Sequence, residues 1–424
     1  MSVLLFIFYA LLFSVLIYKY RIYRYFELPQ GFVLLLFWVK VSAGLLYVYI
    51  HERYYGGGDI IAFQRDGKIV YECLFKTPSV FFKIMLLPKL DYLSTDLYDT
   101  VRHLRFWYDN GSLLIIKLLA IFNIFSFGNS WTNTIFFELF TMTGLLSLYK
   151  TFANYFPNKK VFLLIALFGI PSTLFWSSGI SKDGFNLTCI GLLFLCLNDL
   201  VSKEFSLIKV VIATLSILSL LAIRGYEITI MLPGLIAMYW VYKKPKQKIL
   251  KYSVCYFLSI AFFFIIEQNL NLGFLNFIVQ KQNQFIENGL GKSMLQPLAL
   301  APNWQSFLFT APHALYRALF RPNIFQFNSG HEFIYAIIHT LYLLMCLGLA
   351  SLYILFRKSI SNLALFCIYY SVAMMVFIGW EVPNVGAMVR YTSCAYTFFT
   401  LFFVLIVDEN RFSFVRKIHN KLML

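Results

Sequence analysis

The chain is 424 residues long, 60% hydrophobic and only 13% charged, with 36 Lys and Arg against 20 Asp and Glu for a formal net charge of +16. A soluble domain carries roughly a quarter charged residues, so a water-covered globule around one core is excluded. The basic excess sits in short clusters between apolar runs, which argues against nucleic acid as a partner and for membrane topology and anionic lipid.

Apolar runs long enough to cross about 30 Å of hydrocarbon recur along the chain. They lie near 3–18, 31–50, 131–149, 160–178, 186–200, 206–223, 226–242, 250–267, 334–356, 361–379 and 390–407. The pattern predicts an all-α, polytopic protein with about 11 spans in a single transmembrane domain, 1–424. The first run, Ser2–Tyr18, lacks a basic leader and a small-residue cleavage site, so it reads as a retained helix. Basic residues mark the connections: Lys19, Arg21 and Arg24; Lys150, Lys159 and Lys160; Lys203; Lys243, Lys244, Lys246, Lys248 and Lys251; Arg357 and Lys358. The tail adds Arg411, Arg416, Lys417 and Lys421. Positive charge marks cytoplasmic loops, and all six clusters share one side when the N-terminus is outside.

One segment tests this parity. Leu113–Phe127 is apolar but carries Lys117, and counting it as a crossing would put the lysine-rich loop 243–251 outside. It is therefore expected to be an interfacial or re-entrant helix. A further crossing by a weak segment such as 76–90 would restore the same parity. Either way, two large loops, about 51–130 and 268–333, are expected outside. The second holds amphipathic stretches, FLNFIVQ and NWQSFLFTAPHALYRALF, expected on the membrane surface.

These outer connections collect the unusual polar residues. In HERYYGGGDIIAFQRDG, Asp59 follows three glycines and offers a general base or a metal-leaning carboxylate, with Asp66 two helical turns on. Alternatively Gly58 turns the chain and Asp59 caps a helix. In PSTLFWSSGISKD, Lys182 offers a compact cation for a phosphate, and Asp183 would position it or a sugar hydroxyl. An ordinary turn with solvated charges is the alternative. Arg224 and Glu227 are three apart and suited to pair with each other. Arg317 and Arg321, four apart, suit one anionic group or lipid headgroups. Arg390 and Tyr391 open the last span, while Glu381 fits a plain loop role and His313 and His331 stand alone. Within their spans Lys40 and Glu138 are intramembrane charges, costly unless paired, and so are candidates by default. The seven cysteines are scattered without CxxC or Cys/His spacing, which indicates neither zinc nor a disulfide framework.

Together these features resemble the GT-C membrane glycosyltransferases, which take a sugar from a polyprenyl-phosphate carrier on the non-cytoplasmic face. Those enzymes carry an acidic residue in the first large outer loop followed by amphipathic juxtamembrane helices, matched here by Asp59 and residues 76–127. Some mannosyltransferase branches show a proline and an aromatic-serine stretch ending in an acidic residue. The segment 171–183 is similar, with Lys182–Asp183 where Ser-Glu is expected. Arg390–Tyr391 before a late span also recurs in such enzymes. Two departures are an extra span before the acidic loop and GGGD in place of an acidic dipeptide. The architecture also resembles the multispanning polymerases and ligases of bacterial surface polysaccharide, which set outer arginines against a lipid-linked diphosphate; Arg224, Arg317, Arg321 and the loop 268–333 fit.

The resemblance implies glycosyl transfer from a polyprenyl-linked donor at the outer face of a bacterial cytoplasmic membrane, with lipid as the other partner. Asp59 and Asp183 would be the catalytic carboxylates. Lys182, Arg224 and Arg390 would neutralise charge on the leaving phosphate, with Glu227, Arg317, Arg321 and Tyr391 also in the substrate-binding set. A divalent metal is an option that no paired carboxylates signal. Two rivals are a transporter or flippase of lipid-linked sugars, which Lys40 and Glu138 keep open although no repeat is visible, and a structural membrane subunit.

The topology is checked by a cysteine at Lys246. It is expected to resist an impermeant thiol reagent applied outside intact cells, and labelling there would reverse the orientation.

Overall fold

The computed structural model describes residues 2–86, 95–201, 206–270, 272–287, 293–325, 327, 330–356 and 359–408. Expected connections at Lys203, Arg357, Lys358 and the basic tail lie outside these residues, as does the side chain of His331. Among the described residues the chain is helical without a named strand, and an isolated bridge joins Met294 to Asn384.

The first helices are α1 (Ser2–Tyr18), α2 (Gln30–Tyr49), α3 (Asp59–Lys76), α4 (Pro78–Leu86), α5 (Thr95–Val101) and α6 (Asn110–Ser126). Then come α7 (Ser130–Tyr155), α8 (Lys160–Leu164), α9 (Pro171–Trp176), α10 (Lys182–Val201), α11 (Leu207–Lys243) and α12 (Lys248–Leu270). The last six are α13 (Phe274–Glu287), α14 (Trp304–Phe320), α15 (Gly330–Phe356), α16 (Asn362–Glu381), α17 (Val385–Tyr391) and α18 (Ser393–Ile406). Side-chain caps set several starts. Asp109 accepts from the amides of Gly111 and Ser112, Asn129 from Thr132, Asn303 from Ser306, Ser361 from Ala364 and Asn384 from Ala387.

Six of the described helices are long and apolar enough to cross a membrane, or up to eight if each of two bent pairs is one span. The bent pairs are α6 with α7, at 118°, and α17 with α18, at 55°. The first angle fits either a broken span or a re-entrant loop, where the charge-parity argument led us to expect an interfacial or re-entrant helix. One expected span differs from the observed elements. The run 160–178 is divided into α8, a π-helical turn Ile165–Gly169, and α9, because Pro171 lacks the amide needed to continue the preceding helix. The expected spans 206–223 and 226–242 are present as two helices within α11 that meet at Arg224, where the backbone leaves helical geometry with φ −150° and ψ 72°.

That break adjoins a boundary between two compact units, residues 2–225 and 226–408 of the described chain. In the first unit α7 and α10 pack side by side through small residues. A Cβ on Gly191 would stand 2.1 Å from the Gly144 carbonyl oxygen, and one on Gly144 would stand 2.3 Å from Thr188 Cα. Such backbone approach is how helices associate where water supplies no hydrophobic drive. Amphipathic α3 lies on α6, with Gly67 against Leu119. The second unit repeats the device, since a Cβ on Gly379 of α16 would meet the Ala314 carbonyl of α14 at 2.1 Å. One of the amphipathic stretches expected on the membrane surface is thus packed directly against a long apolar helix. Tyr396 of α18 donates to the Ala318 carbonyl at 2.6 Å and pins the other end of α14.

Candidate functional site

Among the described residues, buried charges gather in both units. In the first, the Lys40 ammonium meets the Glu138 carboxylate at 3.1 Å with both side chains fully buried. Lys40 also donates to the Ser177 carbonyl at 2.7 Å and to the hydroxyls of Ser178 at 2.8 Å and Ser177 at 3.2 Å. Glu138 accepts from the Gly179 amide and, at 3.2 Å, from the Thr141 hydroxyl. The pairing expected of two opposite intramembrane charges is present, but its partners are largely supplied by the turn before α10. Glycine is required twice. A Cβ on Gly44 would strike Glu138 Oε1 at 2.3 Å, and Gly179 combines φ +69° with the Tyr47 ring 2.4 Å from where its Cβ would be.

A second centre in this unit lies where the N-termini of α6 and α10 meet the break in α11. Ser181 caps α10 by accepting from the Gly184 amide at 3.1 Å, which places Lys182 and Asp183 in its first turn. Lys182 pairs with Asp109, and Arg224 pairs with Asp183. Gly111 lets α6 approach, since its Cβ would stand 2.9 Å from Ile223 Cα. Asp183 is buried, at 3% exposure, so it is not the solvated turn charge of the alternative sequence reading, and its partner Arg224 is 7% exposed. Burial alone would raise the Asp109 carboxyl, but the hydrogen bond and charge of Lys182, with Ser112, bring it below the usual aspartate value. Sequence reasoning missed Asp109. Asp-Asn-Gly before an apolar run was a readable cap signal, although its reach to Lys182 was not.

Asn186 is a second residue missed by sequence reasoning. It follows Asp183 by one helical turn, is fully buried, and neither its amide nitrogen nor its oxygen has a hydrogen-bond partner. Asp66, a candidate by position, proves to hold a loop. It pairs with Arg65 at 2.9 Å and accepts from the amides of Arg105 and Phe106 at 2.8 and 3.3 Å. Asp59 is the half-buried first residue of α3, after Gly58 with φ +118°.

In the second unit Glu227 is fully buried and accepts from the Tyr370 hydroxyl at 3.3 Å. Arg390 and Tyr391 are half-buried at the end of α17. Arg317 is the most demanding side chain in this unit. It is 3% exposed, and none of its three guanidinium nitrogens has a hydrogen-bond partner. Arg321 is half-buried one turn on, its Nε also without a partner. Burial, with Arg321 alongside, brings the Arg317 pKa down to about 10, which still leaves it charged at neutral pH. Among the described residues no group of three or more His, Cys, Asp or Glu is placed to hold a metal ion. No family model, curated protein or solved structure matches this chain.

The Lys40–Glu138 contact can be tested by paired substitution. Lys40→Met or Glu138→Gln alone leaves a buried charge without its partner and is expected to cost about 3–5 kcal/mol of stability. The double variant is expected to recover part of that loss in folded yield and melting temperature. Fully additive losses would show that the two residues do not share one interaction.

Proposed function

We propose that the protein is a membrane glycosyltransferase that moves a sugar from a polyprenyl-(di)phosphate donor to an acceptor at the outer face of a bacterial cytoplasmic membrane. The observation that carries this reading is the buried, unpartnered guanidinium of Arg317 beside Arg321. A charge removed from water costs several kcal/mol unless it is compensated, and a planar guanidinium fits a phosphate bidentately. An anionic lipid-linked group supplies the missing counter-charge. The cluster around Lys182, in contrast, is neutralised internally by two carboxylates facing two cations. Charge balance therefore favours Arg317 and Arg321 as the donor-phosphate contacts, the reading closer to the surface-polysaccharide polymerases and ligases.

Under the same proposal the balanced pairs Asp183–Arg224 and Lys182–Asp109 hold the helix ends of the first unit and do not contact the donor phosphate. Asp59 carries the acceptor-activating role, and Glu227, Arg390 and Tyr391 contribute to substrate binding, both as the resemblance implies. Eleven crossings with the N-terminus outside complete the topology. The transporter reading rested on Lys40 and Glu138. Their hydrogen bonds to the 177–179 turn instead support a structural lock.

Arg317→Met discriminates a binding residue from a structural one. Removing an uncompensated buried charge is expected to raise the stability of the ligand-free protein by about 1–4 kcal/mol. The same variant is expected to lose the melting-temperature increase that a polyprenyl diphosphate gives the parent. A variant that melts lower than the parent and keeps the ligand response would overturn the assignment.

A further inference from the structure

At the lysine-bearing end of α7 the first unit encloses a cavity of about 220 Å³, bordered by Phe26, Glu27, Tyr149, Lys150, Asn154 and Lys160. Its volume equals that of roughly seven water molecules at ~30 Å³ each, enough for a phosphate group and more than a carboxylate fills. Lys150 has an 11% exposed side chain, so its ammonium needs an anion. Glu27 supplies one at 2.7 Å, and the Tyr25 ring lies 5.7 Å from the same nitrogen.

Glu27 is an unusual partner. Its side chain is 66% exposed, and its backbone is left-handed, with φ 56° and ψ 39°, directly after the short 3-10 turn Arg24–Phe26. A non-glycine residue in that conformation is held there by its surroundings. The hydrogen bond from Lys150, then the charges of Lys150 and Lys160, hold the Glu27 carboxyl below the usual glutamate value, so it is an anion at neutral pH. Rotating this exposed side chain into solvent would uncover an anion position served by Lys150 and Lys160. Exposed Tyr20, Ile22, Tyr25 and Tyr155 flank these segments in sequence, the composition of a membrane–water boundary.

We propose that this cavity binds the phosphate of an anionic phospholipid headgroup between Lys150 and Lys160, with the Glu27 carboxylate standing in for that phosphate when the site is empty. The site uses different residues from the donor centre, and its occupant is retained lipid. Asn154 adds an amide donor at the rim, and departure of Glu27 leaves the cavity with two cations and no carboxylate.

The test uses the full-length protein in detergent, with lipid retention read by native mass spectrometry after incubation with phosphatidylglycerol or phosphatidylcholine. The parent is expected to retain phosphatidylglycerol selectively. Lys160→Gln should weaken retention about five-fold, the usual worth of one basic residue at an anionic lipid surface. Glu27→Gln removes the competing carboxylate and should strengthen retention by a similar factor. It leaves Lys150 in place, so the test stands even if Lys150 variants fold poorly. Equal retention of both lipids, or no change in Glu27→Gln and Lys160→Gln, would overturn the site. Inorganic phosphate alone is the remaining arm. Should it bind as tightly as phosphatidylglycerol with the same response to both variants, the lipid assignment fails and the pocket serves free phosphate.

Discussion

The ion pair between Lys40 and Glu138, fully buried, ties together three segments of the first unit. Two full charges buried among apolar helices are tolerable only when their remaining donors and acceptors are met. Ser177, Ser178 and Gly179 meet them, which ties α2 and α7 to the turn that launches α10. The glycines at 44 and 179 follow from that requirement, because a side chain at either would occupy the space of the carboxylate or of Tyr47. The start of α10 in turn fixes Lys182 and Asp183, and through them Asp109 and Arg224. A polar contact inside the fold thus sets the geometry of the charge cluster at its helix ends.

Self-neutralised and uncompensated charge have different meanings. Asp183–Arg224 and Asp109–Lys182 balance each other, so they organise three helix ends without needing a ligand. Arg317 has no such balance within hydrogen-bonding reach, and α14 holds it buried by close packing on α16 and by the Tyr396 hydroxyl. A protein that keeps a guanidinium in this state gives up stability, and binding an anion recovers it. That asymmetry, more than the number of basic residues, separates a binding centre from a structural one.

Much of this was legible in the sequence, and the remainder was hidden for physical reasons. Helical class and membrane character follow from composition and from uncharged runs. The pairing of Lys40 with Glu138 follows from the cost of isolated intramembrane charge. The partners Ser177 and Gly179 were hidden because a backbone carbonyl and amide leave no mark on residue identity. Arg224 was readable as a candidate, and its spacing from Glu227 suggested an i,i+3 pair, but its bond to Asp183, far off in the sequence, was not readable. Helix 160–178 was read straight through Gly169 and Pro171 because hydropathy outweighed the breaker signal. For Arg317 the sequence showed a shared face with Arg321, whereas its burial depends on Gly379 admitting α14 some 60 residues away in the chain.

The central claim is that an anionic lipid-linked sugar is the substrate and that its phosphate rests on Arg317. The direct measurement is transfer of radiolabelled sugar from a polyprenyl-diphosphate donor by the purified protein in liposomes, with Arg317 intact or replaced by methionine. Label is expected to leave the lipid with the parent protein, at a rate about 10²–10³-fold above that of the variant, the scale on which one charge-stabilising group contributes. Equal rates for parent and variant, or label that stays on the lipid with both, would contradict the account.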